Sequence, residues 1–548
     1  MNTVEIIEWP FNENSLKSIN NKESYLNYPV IYLLKNQQEA YIGETVAFKN
    51  RMRAHLKTKE RQRLDEMHLI HHEEFNRSAT FHLETKLINY FLGDQKYKLQ
   101  NKSQTVNNIS HNYFNKKFYD RDIFKEIWQH LVDQGIVNNE QHVIENRDVF
   151  KLSPFKELSV GQLELKEKVI EICEKNISRS EEDKSFLFLI QGEAGTGKSV
   201  VLSSIFNTIQ ELSTDITSQL CGSENYLVVN HDEMLKTYKS IASKLKFLKA
   251  KNFDRPTPLI NRLKKSGEKA DIILVDEGHL LLTRPDTYNN FTDNNQLEEL
   301  MKLAKIVVVV YDESQVLKLK SFWKETTLDA LMQQSDYEKY ELKNQFRMRA
   351  NEEVIEWIDH FKNKKISPIP NDKEYELKIF DSLQTMHEAI IEKNNDYGLS
   401  RVVSTFDYLH KKDGGIYYIS EDKGNYKIPW NITDGKYTWA EKDSTIKEAG
   451  SIYTIQGFDL NYVGVILGPS ITYDKQSDCL VIKPENYKDV GAFAGIEGIE
   501  SVKQAKEKII LNSMNVLMKR GIEGLYIYAS DEVLRERLLE LQVESLKK

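Results

Sequence analysis

At 548 residues the chain exceeds what one hydrophobic core supports, and about 150 residues per domain argues for three or four units. Its three cysteines, Cys173, Cys221 and Cys479, fall in no C-x-x-C pairing, which excludes a disulfide framework and a zinc site and suits a reducing cytoplasm. No apolar run approaches the roughly 20 residues of a membrane span, the N-terminus lacks the basic-then-apolar order of a signal peptide, and the net charge is −8. A cytoplasmic protein with no membrane partner is expected, and any face for nucleic acid must be a local basic patch.

In chain order, residues 1–110 open with an apolar pair of strands, Val30-Ile-Tyr-Leu-Leu34 and Ala40-Tyr-Ile42, around the polar turn 35–39. Helical spacing follows over Phe48 to Leu64 and over Phe81 to Phe91, which predicts a compact α/β unit. Residues 111–155 carry one amphipathic helix, Phe124 to Val132, and then the polar stretch 138–142 before Ser153-Pro154, the pattern of a helical connector. From 156 onward β-branched runs alternate with helical patterns: Phe186 to Ile190, Tyr226 to Val229, Ile272 to Val275, Ile306 to Val310, Val402-Val403, Val463 to Ile466 and Leu525 to Tyr528. Continuous apolar strands of this kind require a buried parallel sheet, and we divide them into lobes 156–330 and 331–548. Candidate basic patches are Lys244 to Lys251 with Arg255, Arg262 to Lys265, and Lys49 to Arg53 with Lys57, Lys59, Arg61 and Arg63.

The most specific motif is Gly192-Glu-Ala-Gly195-Thr-Gly197-Lys198-Ser199, directly after the strand Phe186 to Ile190. Such a loop binds a nucleoside triphosphate: glycines let backbone N–H groups approach phosphate, Lys198 reaches the β/γ-phosphates, and Ser199 ligates Mg²⁺. The strand Ile272 to Val275 then ends in Asp276-Glu277, placing Asp276 to hold Mg²⁺ and Glu277 to polarise the attacking water. The next apolar strand ends in Asp312-Glu-Ser-Gln315, whose amide can sense the γ-phosphate, and Leu342-Lys-Asn344-Gln-Phe-Arg347 is a candidate cationic finger.

These residues, in this order, resemble superfamily 1 helicases, and look closest to the short helicase-like module of Schlafen-type proteins. The resemblance spans roughly residues 156–540 and implies two RecA-like lobes, with ATP and Mg²⁺ as cofactors. It implies that Gln162 reads adenine, that Asp312 with Gln315 and Asn344 with Arg347 form the third and fourth motifs, and that Thr454, Gln456 and Gly457 belong to the fifth. Arg520 belongs to the sixth, and Arg347 and Arg520 would touch the γ-phosphate. The sixth motif here reads Met518-Lys-Arg520-Gly521, a departure from the commoner Leu-Thr-Arg-Ala form. Only about seventy residues separate Ser199 from Asp271, leaving little room for the inserted subdomains of long DNA helicases, so a translocase or remodelling ATPase stays open beside an unwinding enzyme.

The N-terminal hairpin, with Val30-Ile31-Tyr32 on one strand and Tyr41-Ile42-Gly43 on the next, resembles the GIY-YIG nuclease module. Arg51 lies ten residues beyond Tyr41, His55 one helical turn further, Glu84 in the apolar helix, and Asn101 after it. In phosphodiester cleavage a carboxylate such as Glu84 holds one Mg²⁺ or Mn²⁺, Arg51 neutralises phosphorane charge, and Tyr32, Tyr41 and His55 are available to activate water. The expectation is therefore an α/β chain in which a small GIY-YIG domain precedes two RecA-like parallel-sheet lobes. It would be a metal-dependent endonuclease joined to an ATP-driven helicase or translocase, acting on DNA in preference to RNA, with homo-oligomerisation open. The pairing resembles single-chain nuclease–helicase immunity proteins of bacteria and implies anti-phage defence. A nucleic-acid sensor, a nucleotide-gated nuclease, and a repair or restriction enzyme are the alternatives.

Overall fold

A first hairpin whose leading strand, Val30–Lys35, buries its first five residues forms the centre of the N-terminal sheet. The computed structural model describes residues 3–545 except 21–22, 102–112, 146, 157, 181–182, 193–194, 288–289, 313–314, 318, 320–329, 343–347, 412, 422–423, 433–438, 441, 456–458 and 495–500. Strands β1 (Glu5–Pro10), β2 (Val30–Lys35), β3 (Glu39–Thr45), β4 (Glu66–His71) and β5 (Lys98–Leu99) form one sheet in the order β1-β4-β2-β3-β5. The β2–β3 hairpin sets Tyr32 opposite Gly43. A Cβ at Gly43 would lie 2.3 Å from the Tyr32 ring, so glycine is what lets that ring lie across the neighbouring strand.

The predicted helix from Phe48 runs only over Phe48–Leu56, because the polar stretch beyond it has no apolar face to bury. The second helix, Arg77–Asp94, is capped by the Asn76 side chain, which accepts from Ala79 N, and it buries twelve of its eighteen residues. A helix buried on nearly all sides needs cover on both, and that cover is the segment 113–155. Trp128 and Phe124 of the helix Phe124–Asp133, together with Phe150, surround Tyr90. Asp94 accepts from Asn138 N and Asn139 N, closing the turn that follows. One apolar cluster runs without a break from Ile31 and Leu83 through Trp128 to Val169 and Phe206, across the expected boundary between a unit 1–110 and a connector 111–155. These segments and the first lobe share a core.

Strands β6 (Phe186–Gly192), β7 (Asn225–Val229), β8 (Phe253–Asp254), β9 (Ala270–Asp276), β10 (Ala304–Tyr311) and β11 (Asp336–Leu342) form the first lobe's sheet, in the order β11-β6-β10-β9-β7-β8. Every pair is parallel. Its central strands are fully buried apolar runs, whereas the edge strand β11 is polar and buries only Leu342. An edge strand packs on one side alone and leaves no apolar run to read. The lobe therefore extends to Leu342, beyond the boundary expected at 330.

The second lobe has strands β12 (Glu376–Ile379), β13 (Arg401–Ser404), β14 (Tyr417–Glu421), β15 (Tyr426–Trp430), β16 (Ala449–Gly450), β17 (Leu460–Leu467) and β20 (Gly521–Ala529), with a separate hairpin of β18 (Ile471–Asp474) and β19 (Cys479–Ile482). The main sheet runs β12-β20-β17-β13-β16-β15-β14 and is parallel except for β14–β15. Its core is distinct and contains Trp430 and Trp439. The two lobes thus carry their own cores and meet across a cleft.

Asn101 clamps β3: its Nδ2 donates to Ile42 O at 2.8 Å and its Oδ1 accepts from Ile42 N at 3.2 Å. Asn101→Ala leaves both buried backbone groups unmatched, and should cost this sheet about 1–3 kcal/mol. The check is hydrogen exchange at the Ile42 amide, which should speed up; unchanged protection would refute the clamp.

Candidate functional site

Strand β6 delivers the chain to the glycine loop, and the helix Lys198–Leu212 leaves it with Gly197 as its N-cap. Gly195 and Gly197 hold left-handed φ values of 87° and 73°. The first-turn N–H groups of that helix form an anion-binding end. Lys198 Nζ donates to Gly192 O at 2.7 Å and lies 3.2 Å from Asp312 Oδ2, which also accepts from Gln315 Nε2 at 2.7 Å. Strand β10 lies between β6 and β9, so three adjacent strand ends bring the loop, Asp312 and Asp276 together.

Ser199 Oγ donates to Asp276 Oδ1 at 3.1 Å, and Tyr238 Oη donates to Asp276 Oδ2 at 2.6 Å. Burial, then the charge of Glu277, pushes the Asp276 carboxyl up to about 6 against these hydrogen bonds. Glu277 turns the chain with a left-handed φ of 51°, tucking Gly278 against Val310 O of β10, where a Cβ would approach to 2.8 Å. The buried His279 lies 3.3 Å from Glu277 Oε2, and burial holds its imidazole down to about 4, so it is neutral. Asp276, Ser199 and Glu277 form an oxygen-rich set that fits the Mg²⁺ accompanying a nucleotide.

Gln162 is the third residue of a capping box with Ser159, and its Nε2 donates to Thr196 O of the loop at 3.0 Å. Its amide is thereby engaged at both ends, steadying the glycine loop. Arg520, from the second lobe, is buried and lines the same cleft as Lys198, Ser199, Glu277 and Gln315. Asn344, Arg347, Gln456 and Gly457 lie outside the described residues. Tyr238 escaped the sequence reading, since a tyrosine in an amphipathic helix carries no signal of its own.

In the N-terminal unit the helix Phe48–Leu56 aims Arg51 and His55 at the hairpin. Tyr32 Oη is within 2.8 Å of His55 Nε2 and accepts from Arg51 Nε at 3.0 Å. The rings of Tyr32, Tyr41 and His55 form a cluster with centroids 5.1 to 6.1 Å apart, and the Arg61 guanidinium sits 3.8 Å over Tyr41. Burial, with the charges of Arg51 and Arg61, holds His55 down to about 4. It is thus neutral. Burial raises Tyr32 well above the usual phenol range, with Tyr41 adding to the rise and Arg51 opposing it. Glu84 is pushed up to about 8 by desolvation and by Glu44, with Arg51 pulling the other way. Two desolvated carboxyls beside each other fit a divalent cation. Asn101, expected among the catalytic residues, is engaged by the β3 backbone, as described above.

Several basic candidates turn inward or pair. Lys244 Nζ donates to Gln95 O, Lys246 pairs with Glu60 at 2.7 Å, and Arg262 pairs with Asp254 at 2.6 Å, so these residues dock elements instead of forming an open patch. Among the described residues Glu8, Glu66 and His68 bring ligand atoms within 4.8 Å of one another, but Lys35 already pairs with Glu66.

Residues 185–531 match the family described as Schlafen group 3, DNA/RNA helicase domain, and the chain belongs to that family. It thus contains a helicase-like domain. Over 411 residues it is 43% identical to an uncharacterized protein of Saccharomyces cerevisiae, covering 70% of this chain and 90% of that one. Solved structures similar to it include a Pif1 helicase from Candida albicans, at 12% identity and a TM-score of 0.27 over 70% of this chain and 99% of that one. Another is S. cerevisiae Dbp5 bound to RNA and ADP BeF3, at 11% identity and a TM-score of 0.28 over 71% of this chain and 92% of that one.

The Tyr32–Gly43 contact can be tested by a double-mutant cycle. Gly43→Ala alone should destabilise by about 1–3 kcal/mol, and by less than half of that in a Tyr32→Leu background. Equal costs in thermal melts of the two backgrounds would show that the ring does not lie over Gly43.

Proposed function

We propose that the chain is an ATP-driven, helicase-like motor on nucleic acid, carrying at its N-terminus a metal-dependent endonuclease of the GIY-YIG type. The observation that carries the nuclease half is the Tyr32 hydroxyl held between Arg51 and a neutral His55, on an axis that only glycine at 43 permits. Tyr32 donates its proton toward His55 Nε2 and accepts from Arg51, so its oxygen keeps a lone pair for an incoming water. The water's proton passes to that oxygen as Tyr32's own moves to His55, and the hydroxide attacks phosphorus; the P–O bond to the leaving sugar oxygen then breaks, that oxygen takes up a proton as His55 gives its own back to solvent, and Arg51 offsets the charge on the pentacoordinate phosphate. A divalent cation held by Glu84 would supply polarisation of the scissile phosphate.

The motor half rests on family membership together with the Lys198–Asp312 and Ser199–Asp276 contacts. In this reading Lys198 leaves Gly192 O for the β/γ-phosphates, Glu277 orients water with His279 behind it, and Arg520 supplies charge from the opposite lobe. Arg347 is assigned the same role by the motif it completes. ATP is the nucleotide proposed, and DNA the preferred polymer. The proposal concerns the chemistry and leaves phage defence aside.

A second reading, nucleotide gating of the cutter without translocation, is favoured by one observation. The helix Asp232–Lys244 touches Asp276 through Tyr238 and touches the N-terminal unit through Ser240 and Lys244, both on Gln95.

Purified chain with Mg²⁺, assayed on single-stranded and duplex DNA and RNA for cleavage and phosphate release, should show both activities. Glu84→Gln should reduce cleavage about a hundredfold or more while phosphate release continues, since even outer-shell changes at a metal cost about 10–100-fold. Retained cleavage would reduce the N-terminal unit to a binding module. Lys198→Ala should abolish phosphate release; cleavage that falls with it supports a motor, and cleavage that persists or rises supports the gate.

A further inference from the structure

The cleft between the lobes has a third wall. Besides the glycine loop of the first lobe and Arg520 of the second, it is lined by Lys151, Leu152 and Lys156, from the segment that follows the N-terminal unit. None of the nucleotide motifs includes these lysines. Lys151 Nζ donates to Asp459 O at 3.3 Å, reaching across to the second lobe, and Asp459 itself lines the cleft.

The backbone carrying the two lysines is held by the N-terminal unit. Asn89 Nδ2 donates to Phe155 O at 2.9 Å, and Ser153 Oγ donates to Asn89 Oδ1 at 2.5 Å, both in fully enclosed positions. Asn89 lies on the helix Arg77–Asp94, five residues after Glu84. Phe155 is buried in the core shared with the first lobe, so the segment has little freedom to move apart from either. Two ammonium groups are therefore held at the mouth of a cleft that already contains Lys198 and Arg520.

Four cations converging on one cleft, with Glu277, Asp459 and Asp312 the nearby counter-charges, form a site for a ligand of several negative charges. We propose that Lys151 and Lys156 are nucleotide-binding residues that contact the terminal phosphates of a nucleoside triphosphate. This rests on the reading of the cleft as an ATP site. The same segment is bonded to Asn89 on the helix that carries Glu84.

The test uses the full chain with Mg²⁺ and equilibrium binding of ADP and of a non-hydrolysable ATP analogue. A charge-assisted contact contributes about 1.5–3 kcal/mol, so K151A/K156A should weaken the analogue about tenfold or more and ADP less than about threefold. K151R/K156R should restore the analogue to within about threefold. Wild-type affinity for the analogue in the alanine variant, or equal weakening of both nucleotides, overturns the assignment while leaving the ATP site standing. A wild-type chain that binds neither nucleotide overturns the ATP reading and this inference with it. Should the alanine variant melt below the wild type, K151Q/K156Q, which keeps the side-chain bulk, gives the same comparison.

Discussion

Asp276 is the joint on which the two halves of the first lobe turn. One of its oxygens takes the hydroxyl of Ser199 at the start of the loop helix, and the other takes the hydroxyl of Tyr238, from the helix that follows the neighbouring strand β7. A buried carboxylate left without partners costs far more than the net worth of either bond, so both hydroxyls are held where they are. Tyr238 in turn fixes the helix Asp232–Lys244, whose far end meets Gln95 of the N-terminal unit. Any ligand that takes Ser199 from Asp276 alters the balance of forces along that helix.

The N-terminal unit depends on a comparable economy of polar groups. Tyr32 is fully buried, and its hydroxyl is matched only because Arg51 and His55 stand one helical turn apart on a single helix. The room for its ring comes from the absent side chain at Gly43 on the paired strand. Glu84 approaches from the opposite helix with its carboxyl already desolvated, beside Glu44. Such an arrangement makes ionisation of the Glu84 carboxyl costly near neutral pH.

The central strands were legible because a strand buried on both faces must be apolar throughout: the runs at Phe186, Ile272 and Ile306 became β6, β9 and β10. β11 was not legible, since Asp336 to Glu341 form an edge whose pairing is made by backbone alone. β1 and β4 were missed for a related reason: Glu5, Glu8, Glu66 and the histidines at 68 and 71 interrupt any apolar run, although the two strands pair along their whole length. Among site residues, the glycine loop, Asp276, Tyr32 and Arg51 could be named because their spacing is local. Tyr238, Glu44 and the two lysines of the 151–156 segment could not, because their neighbours lie far away in sequence. Proximity of Lys151 and Lys156 to the Ser159–Gln162 cap was the one signal that could have pointed to them.

The sequence by itself determined the strands that are apolar throughout, where the phosphate loop turns, and which glycines and charged groups stand at fixed short intervals. Those are matters of backbone sterics and of burial along a single element. Only the tertiary structure decided that the segment after the first unit belongs to the core of the first lobe, that Asn101 serves a strand, and that a run of lysines docks one unit on another. These depend on which surfaces meet, and two surfaces separated by a hundred residues of chain leave no periodic mark on either one.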